Sequence, residues 1–192
     1  MKKTAYLGDI ADITTGYPFR SGIADDPSGT VRVIQMREAF PPATVDWNAA
    51  ARVVMEKNME QYLLRAGDIL FVMRGGNYYS VYAETVPCPA LASPHFFRVR
   101  LLGNQGISPA FLAWQLNQAP VQRFYNSMEA GSAQKSLRTA DFAELPIVLL
   151  PPERQKQILK AVDCIYKEIA ALQAGIANRE VLLTVVGAKE LA

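Results

Sequence analysis

The residues of this chain that could do chemistry are few and scattered. One histidine, His95, sits between Pro94 and Phe96-Phe97. Alone at a strand entry, it reads as a packed structural residue rather than a base or a ligand. Cys88 and Cys164 lie far apart and lack metal-ligand spacing, so no zinc site is expected. The sequence holds no Gly-x-Ser-x-Gly elbow, no Walker loop and no Gly-x-Gly-x-x-Gly turn. Asp25-Asp26 has loop composition and no second acid cluster at catalytic spacing. No catalytic residue, metal or cofactor is therefore assigned. Recognition chemistry is better supplied. Arg74 stands on a glycine turn, Arg74-Gly75-Gly76-Asn77, directly after an apolar run, and Tyr78 and Tyr79 follow. Arginine makes bidentate contacts to guanine and asparagine to adenine, and glycines let a backbone approach a ligand closely. A hairpin turn with solvated polar groups would carry the same residues. Gln134 and Lys135 occupy a second polar loop that opens with Gly131-Ser132. Arg20, Ser21, Gln35 and Arg37 are further candidates.

Composition limits who the partner could be. The net charge of +2 announces no nucleic acid by itself, but its distribution is uneven. From Arg65 to Arg138 seven basic residues (Arg65, Arg74, Arg98, Arg100, Arg123, Lys135, Arg138) stand against three acids (Asp68, Glu84, Glu129). Any phosphate-facing surface should draw on that segment, although a solvated surface would look similar. No run of about 18 consecutive apolar residues occurs, so no membrane partner is expected. The start, Met1 to Asp9, lacks the apolar stretch of a signal peptide. Two distant cysteines suit a reducing cytoplasm.

The elements that must position these residues are short. Leu7, Ile10 and Ile13 fit either a helical turn or a strand entry. Thr30–Met36, Ile69–Met73, Tyr78–Val86, Phe96–Leu102 and Leu145–Leu150 read as strands. Residues 52–64 mix both signals and stay open. Ser108-Pro109 is a helix start, serine as N-cap and proline at the first helical position. Ala119-Pro120 starts a second helix to about Asn126, and Thr139 caps a short turn to Phe142. No regular βαβ alternation appears, which argues against a doubly wound nucleotide fold. The body is α+β, mixed and strand-rich with short helices.

From Pro152 the pattern changes. Ile158, Val162, Ile165, Ile169, Leu172, Ile176, Arg179, Leu183 and Val186 recur at alternating gaps of four and three, with eight of the nine apolar. This is a heptad seam over about four heptads, the mark of a coiled-coil-forming helix. At about 1.5 Å per residue it runs roughly 50 Å, too long to bury its whole stripe on a domain of ~150 residues. Its remainder must meet another helix, although a helix folded back on its own domain would show the same stripe. The division expected is a domain over 1–151 and a spacer or dimerisation helix over 152–192.

Taken in order, several motifs resemble those of type I restriction-modification specificity subunits. Leu7-Gly8-Asp9-Ile10 with Gly16-Tyr17-Pro18-Phe19 resembles the opening of their target recognition domain. Gly67-Asp68-Ile69-Leu70 with Arg74-Gly75 resembles the central strand and turn. Ile107-Ser108-Pro109-Ala110-Phe111-Leu112 and Gly131-Ser132-Ala133-Gln134-Lys135-Ser136-Leu137 follow in the family's order. Leu145-Pro146-Ile147 through Pro151-Pro152-Glu153-Arg154-Gln155 to Ile158 resembles the exit into its spacer helix. The resemblance implies a target recognition domain followed by a spacer helix. It implies a non-catalytic subunit that reads double-stranded DNA and docks a methyltransferase and, in some systems, a restriction subunit. Family members typically carry two recognition domains and two long helices; this chain has one of each. That implies a homodimer on a palindromic split site, or a fragment or half-subunit. The family's base-reading residues vary from member to member, so the recognition residues named above rest on physical reasoning. The alternative is a protein-interaction adaptor that uses the long helix without touching DNA.

Overall fold

The computed structural model describes residues 3–40, 44–74, 78–129 and 137–190. The chain enters as β1 (Lys3–Tyr6), makes one helical turn, α1 (Leu7–Ile10), and continues as β2 (Ala11–Thr15). The ambiguous spacing of Leu7, Ile10 and Ile13 thus encodes a turn and a strand in succession. β3 (Val31–Ile34) leads into a 3-10 turn at Met36–Glu38 and the short strands β4 (Ala39–Phe40) and β5 (Thr44–Val45). The stretch left open divides into β6 (Ala51–Val53) and a 3-10 segment, Lys57–Tyr62. β7 (Ile69–Val72) follows, buried throughout. β8 (Ser80–Tyr82) covers only the middle of the stretch expected to be a strand. Then come β9 (Ala90–Ala92), β10 (Phe96–Leu101), α2 (Pro109–Leu116) and α3 (Ala119–Glu129), the last running further than Asn126. α4 (Thr139–Ala143), β11 (Pro146–Leu149) and α5 (Pro152–Glu190) complete the order. The fold is α+β with short helices and one long C-terminal helix, as the sequence implied.

The helix starts show where local chemistry acts. Ser108 caps α2, its Oγ accepting from the Phe111 N–H at 3.2 Å. Thr139 does not cap α4: the N-cap is Arg138, without a side-chain cap, and its guanidinium pairs with Asp141 instead.

β2, β10, β7 and β8 form an antiparallel sheet in that order, and β6, β3 and β9 form a second, in which β3 and β9 run parallel. Period-two alternation gives each sheet two apolar faces. On the first sheet Phe71 and Phe97 join Tyr78, Tyr125 and Phe142, with ring centroids of neighbouring pairs 4.5 to 6.1 Å apart. Leu70, Val72, Val81 and Phe96 point the other way, onto Ile34, Ala90 and Ala92 of the second sheet. That sheet's far face carries Val31 and Leu91, packed with Tyr17 and Met59.

Gly67-Asp68 explains itself structurally. Gly67 has φ +95, a backbone conformation that side chains strain. Asp68 is buried beside it and accepts from the Arg65 N–H at 2.8 Å. Val99 faces Ile69 across the β10–β7 ladder, so the next pair outward is Arg100 and Asp68. Arg100 grips that carboxylate with two hydrogen bonds of 2.7 Å.

The chain divides into two compact units, Met1–Gln155 and Lys156–Ala192. Gln155 anchors the first turn of α5 within the first unit. It is buried, accepts from the Ser108 N–H at 2.9 Å and donates to Gly106 O and Leu150 O at 2.7 Å each. The helix itself has 39 residues, about 58 Å at ~1.5 Å per residue. Along its seam Ile165, Ile169, Leu172, Ile176, Leu183 and Val186 are exposed, Leu183 by 73%. An 18-residue window within Pro152–Val186 reaches a mean hydropathy of 1.3, so by length and composition alone this helix could cross a bilayer. A search for unbroken apolar runs passes over it, because polar residues interrupt the stripe.

The Arg100–Asp68 pair yields a stability prediction. Arg100→Ala strands a buried carboxylate and should cost about 3 kcal/mol in urea unfolding. A loss below about 1 kcal/mol, the range of surface pairs, would show that the pair does not hold β7 to β10.

Candidate nucleic-acid interface

Three of the sequence-predicted residues, Gln35, Arg37 and Tyr79, are linked through one turn, and a fourth, Arg74, stands just past β7. β7 delivers Arg74, exposed, just past the buried Met73. Leu137 docks at the same point, donating its N–H to Met73 O at 3.0 Å. On the strand that returns, Tyr79 packs against the Leu70/Val72/Phe96 cluster and donates its hydroxyl to Met36 O at 3.2 Å. That bond ties the end of the β7–β8 connection to the Met36–Glu38 turn, which carries Gln35 and Arg37. Burial pushes the Tyr79 phenol above its ordinary pKa.

The turn is itself braced. Glu38 is buried; its Oε2 accepts from the Gln35 N–H at 2.9 Å while the Glu38 N–H donates to the Gln35 carbonyl at 3.1 Å. Its other oxygen accepts from Arg37 Nε. Arg37 is thereby aimed by a fixed carboxylate while its side chain stays 70% exposed. An arginine held at Nε with an exposed head suits contact with an anion or a base edge.

Arg20 and Ser21 are exposed but lie elsewhere. They follow Phe19, which packs with Tyr17 on the opposite face of the three-stranded sheet. Their loop continues to Asp25, bound to Arg52 by side-chain bonds of 2.9 and 3.1 Å that hold the Asp25 pKa down at about 2. Gly16 begins the loop where a Cβ would stand 2.0 Å from Ser93 O, so only glycine fits.

Other expectations need correction. Tyr78 belongs to the aromatic core, stacked on Phe71 at 6.1 Å and buried, so it cannot face a duplex as placed. His95 is exposed rather than packed, and its carbonyl accepts from the Met73 N–H. Asn77, Gln134 and Lys135 lie outside the described residues, as do Gly75, Gly76 and Gly131-Ser132. The basic segment is not a free patch either. Arg98 pairs with Asp12, Arg100 with Asp68 and Arg138 with Asp141, leaving Arg65, Arg74 and Arg123 exposed outside these pairs.

Sequence reasoning missed two features. Met36 anchors Tyr79 through its carbonyl, and no side-chain type announces such a role. Thr14, Thr15, Gln61, Tyr62, Arg98 and Thr139 line a cleft of about 480 Å³; they come from four segments, so no local motif marks it. Among the described residues no group of three or more His, Cys, Asp or Glu side chains could hold a metal.

Comparison with known proteins agrees with this architecture. The family model for the type I restriction modification DNA specificity domain matches residues 2–179. A chain from a structural study of complex assembly and conformational transition of the type I R-M system superposes with a TM-score of 0.67 at 16% identity, over 96% of this chain and 43% of that one. The HsdS subunit from Thermoanaerobacter tengcongensis gives 0.60 at 17%, over 90% and 39%. The type I S subunit from M. genitalium gives 0.51 at 16%, over 90% and 42%. This chain thus spans about two fifths of the length of those structures, and at such identities the likeness is one of fold. No curated protein matches the sequence. With the family model running along the domain and well into α5, the chain belongs to the type I restriction modification DNA specificity domain family.

Proposed function

We propose that this chain is a non-catalytic, sequence-reading component of a type I-like restriction-modification system. On this reading residues 1–151 are the DNA-reading domain and 152–192 the spacer and dimerisation helix. The observation that carries it is the family match over residues 2–179. The braced, exposed Arg37 and the exposed Arg74 support the reading. A rigid frame presenting arginines from loops is how base edges and phosphates are met. Catalysis then belongs to partner subunits: a methyltransferase and, in some systems, a nuclease. The test is to reconstitute a cognate methyltransferase subunit with and without this chain. Site-specific methylation should require it; an unchanged pattern without it would sink the proposal. Within that assay Arg74→Ala should weaken specific binding by ~1–3 kcal/mol if Arg74 reads a base. Unchanged site selection would remove it from the reading surface.

The exposed seam of α5 supports a homodimer of half-subunits, each chain bringing one reader and one spacer. A bilayer is the poorer home for this helix. The Arg179-Glu180 pair and Asn178 fall inside its apolar window, and charges at membrane depth cost several kcal/mol. The adaptor reading uses the same seam but predicts no duplex binding, so a gel-shift series over salt separates the two. Light scattering at tens of micromolar should give twice the 21.2 kDa chain mass, and Leu172→Asp should return the monomer. A wild-type monomer under those conditions would remove the homodimer.

A further inference from the structure

Two side-chain amides on α2 act as stand-in strands. β8 is the outer strand of the larger sheet. Its ladder with β7 sets Tyr79 O against the Val72 N–H, so the next residue, Ser80, points its own N–H and C=O away from β7. Asn117, the C-cap of α2, meets both groups. Its Oδ1 accepts from the Ser80 N–H at 2.7 Å and its Nδ2 donates to Ser80 O at 2.9 Å. The buried Ser80 hydroxyl adds a third bond, donating to Ala113 O at 2.7 Å. Gln115 does the same for β11: it accepts from the Val148 N–H at 2.7 Å and donates to Val148 O at 3.1 Å. One short helix thus holds two strand edges by reciprocal amide pairs.

The two clips lead to different places. Val148 belongs to β11, which pairs with β1 in a sheet of its own. Ser80 adjoins Tyr79, whose ring packs into the Leu70/Val72/Phe96 cluster and whose hydroxyl donates to Met36 O at 3.2 Å. The turn that begins at Met36 aims the exposed Arg37 through Glu38. We propose that Asn117 and Tyr79 are positioning residues for Arg37. Asn117 fixes Ser80, Ser80 sets where the Tyr79 ring stands, and the Tyr79 hydroxyl sets the turn from which Arg37 meets a base. Tyr79 then acts on DNA through Arg37 rather than by contact, because its hydroxyl is spent on a carbonyl. A bidentate contact to a base edge tolerates little displacement, since two hydrogen bonds must keep their length and angle together. Attraction to the duplex comes from charge and acts at longer range. Loosening this path therefore costs discrimination between bases and leaves sequence-independent binding in place.

The inference rests on the DNA-reading proposal, and its test keeps the two apart. The probe is a random-sequence duplex library, methylated by the full chain together with a cognate methyltransferase subunit. The wild-type methylation map defines the site. The readout is the ratio of methylation at that site to methylation at sequences one base away. Arg37→Ala, Asn117→Ala and Tyr79→Phe should each lower the ratio by about fivefold or more, and at the same base positions. Asn117→Ala and Tyr79→Phe remove no charge, so their affinity for a mixed-sequence duplex and its salt slope should match wild type. Gln115→Ala is the control: it breaks the same kind of clip on the same helix, and should lower Tm without moving the ratio. Tyr79→Phe removes one hydroxyl and leaves the ring in its cluster, so it carries the test should Asn117→Ala fail to fold. A ratio that falls as far in Gln115→Ala shows that α2 only stabilises the domain and overturns the positioning roles. A wild-type ratio in Tyr79→Phe, with loss in Arg37→Ala, overturns the path while DNA reading stands. A wild-type ratio in Arg37→Ala overturns the path at its last step. A map unchanged when this chain is omitted overturns the DNA-reading proposal as well.

Discussion

The arrangement of the domain depends on a buried carboxylate. Asp68 stands immediately before β7 and ties it to β10 and to the residue after β8. Its backbone carbonyl accepts from Ala83 N–H, linking the strand start to the far side of β8. Its side chain holds the Arg65 N–H and the Arg100 guanidinium. Because strand side chains alternate, a slip of one residue would turn Phe71 toward Leu70's neighbours and put Leu70 among the aromatics. Two buried faces already oppose such a slip. The ion pair adds a directional lock at the strand end, where apolar packing is least discriminating. Such a pair is weak evidence for stability in itself, and its use is in register. Arg74 lies two residues past the other end of that four-residue strand.

That dependence explains which motifs resemble the family. Gly67-Asp68 serves a positive φ and a buried pair. Gly16 clears a backbone oxygen. Ser108-Pro109 caps α2, and Gln155 ties that cap to the first turn of α5. Each is a constraint of the frame, and each is demanding enough to leave a recognisable residue. Arg37, Arg74 and Tyr79 stand on loops, where only charge and reach matter, and many residue types satisfy those demands. A family that must read different targets on one scaffold would keep the first set and vary the second.

The legible parts of the fold follow the same division. β3, β7 and β10 were evident as apolar or β-branched runs, α2 from its serine and proline, and α5 from its seam. β9 was not, because Ala90-Leu91-Ala92 becomes a strand only through its parallel pairing with β3, a non-local bond. Tyr78 looked like surface because it follows a polar turn; its burial depends on Phe71 and Tyr125, the latter 47 residues later in the chain. The basic segment overstated the free charge, because Asp12, which neutralises Arg98, lies outside the segment counted. The Arg98 cleft was invisible for a related reason: cross-strand pairing brings Thr14 to Arg98, and nothing local records it.

The seam carries one further constraint on the proposed dimer. Eight of its nine positions are apolar and the ninth is Arg179. In a parallel, in-register pair Arg179 would meet its own copy across a dry seam, two like charges with no acceptor between them. An antiparallel pair with its two-fold axis at Leu172, the middle of the nine positions, sets Arg179 against Ile165. There Glu168 lies three residues along the partner helix, on the flank an arginine side chain can reach while its stem stays on the apolar stripe. The same charge that weakens the seam therefore selects its direction, as a single polar residue does in other coiled coils.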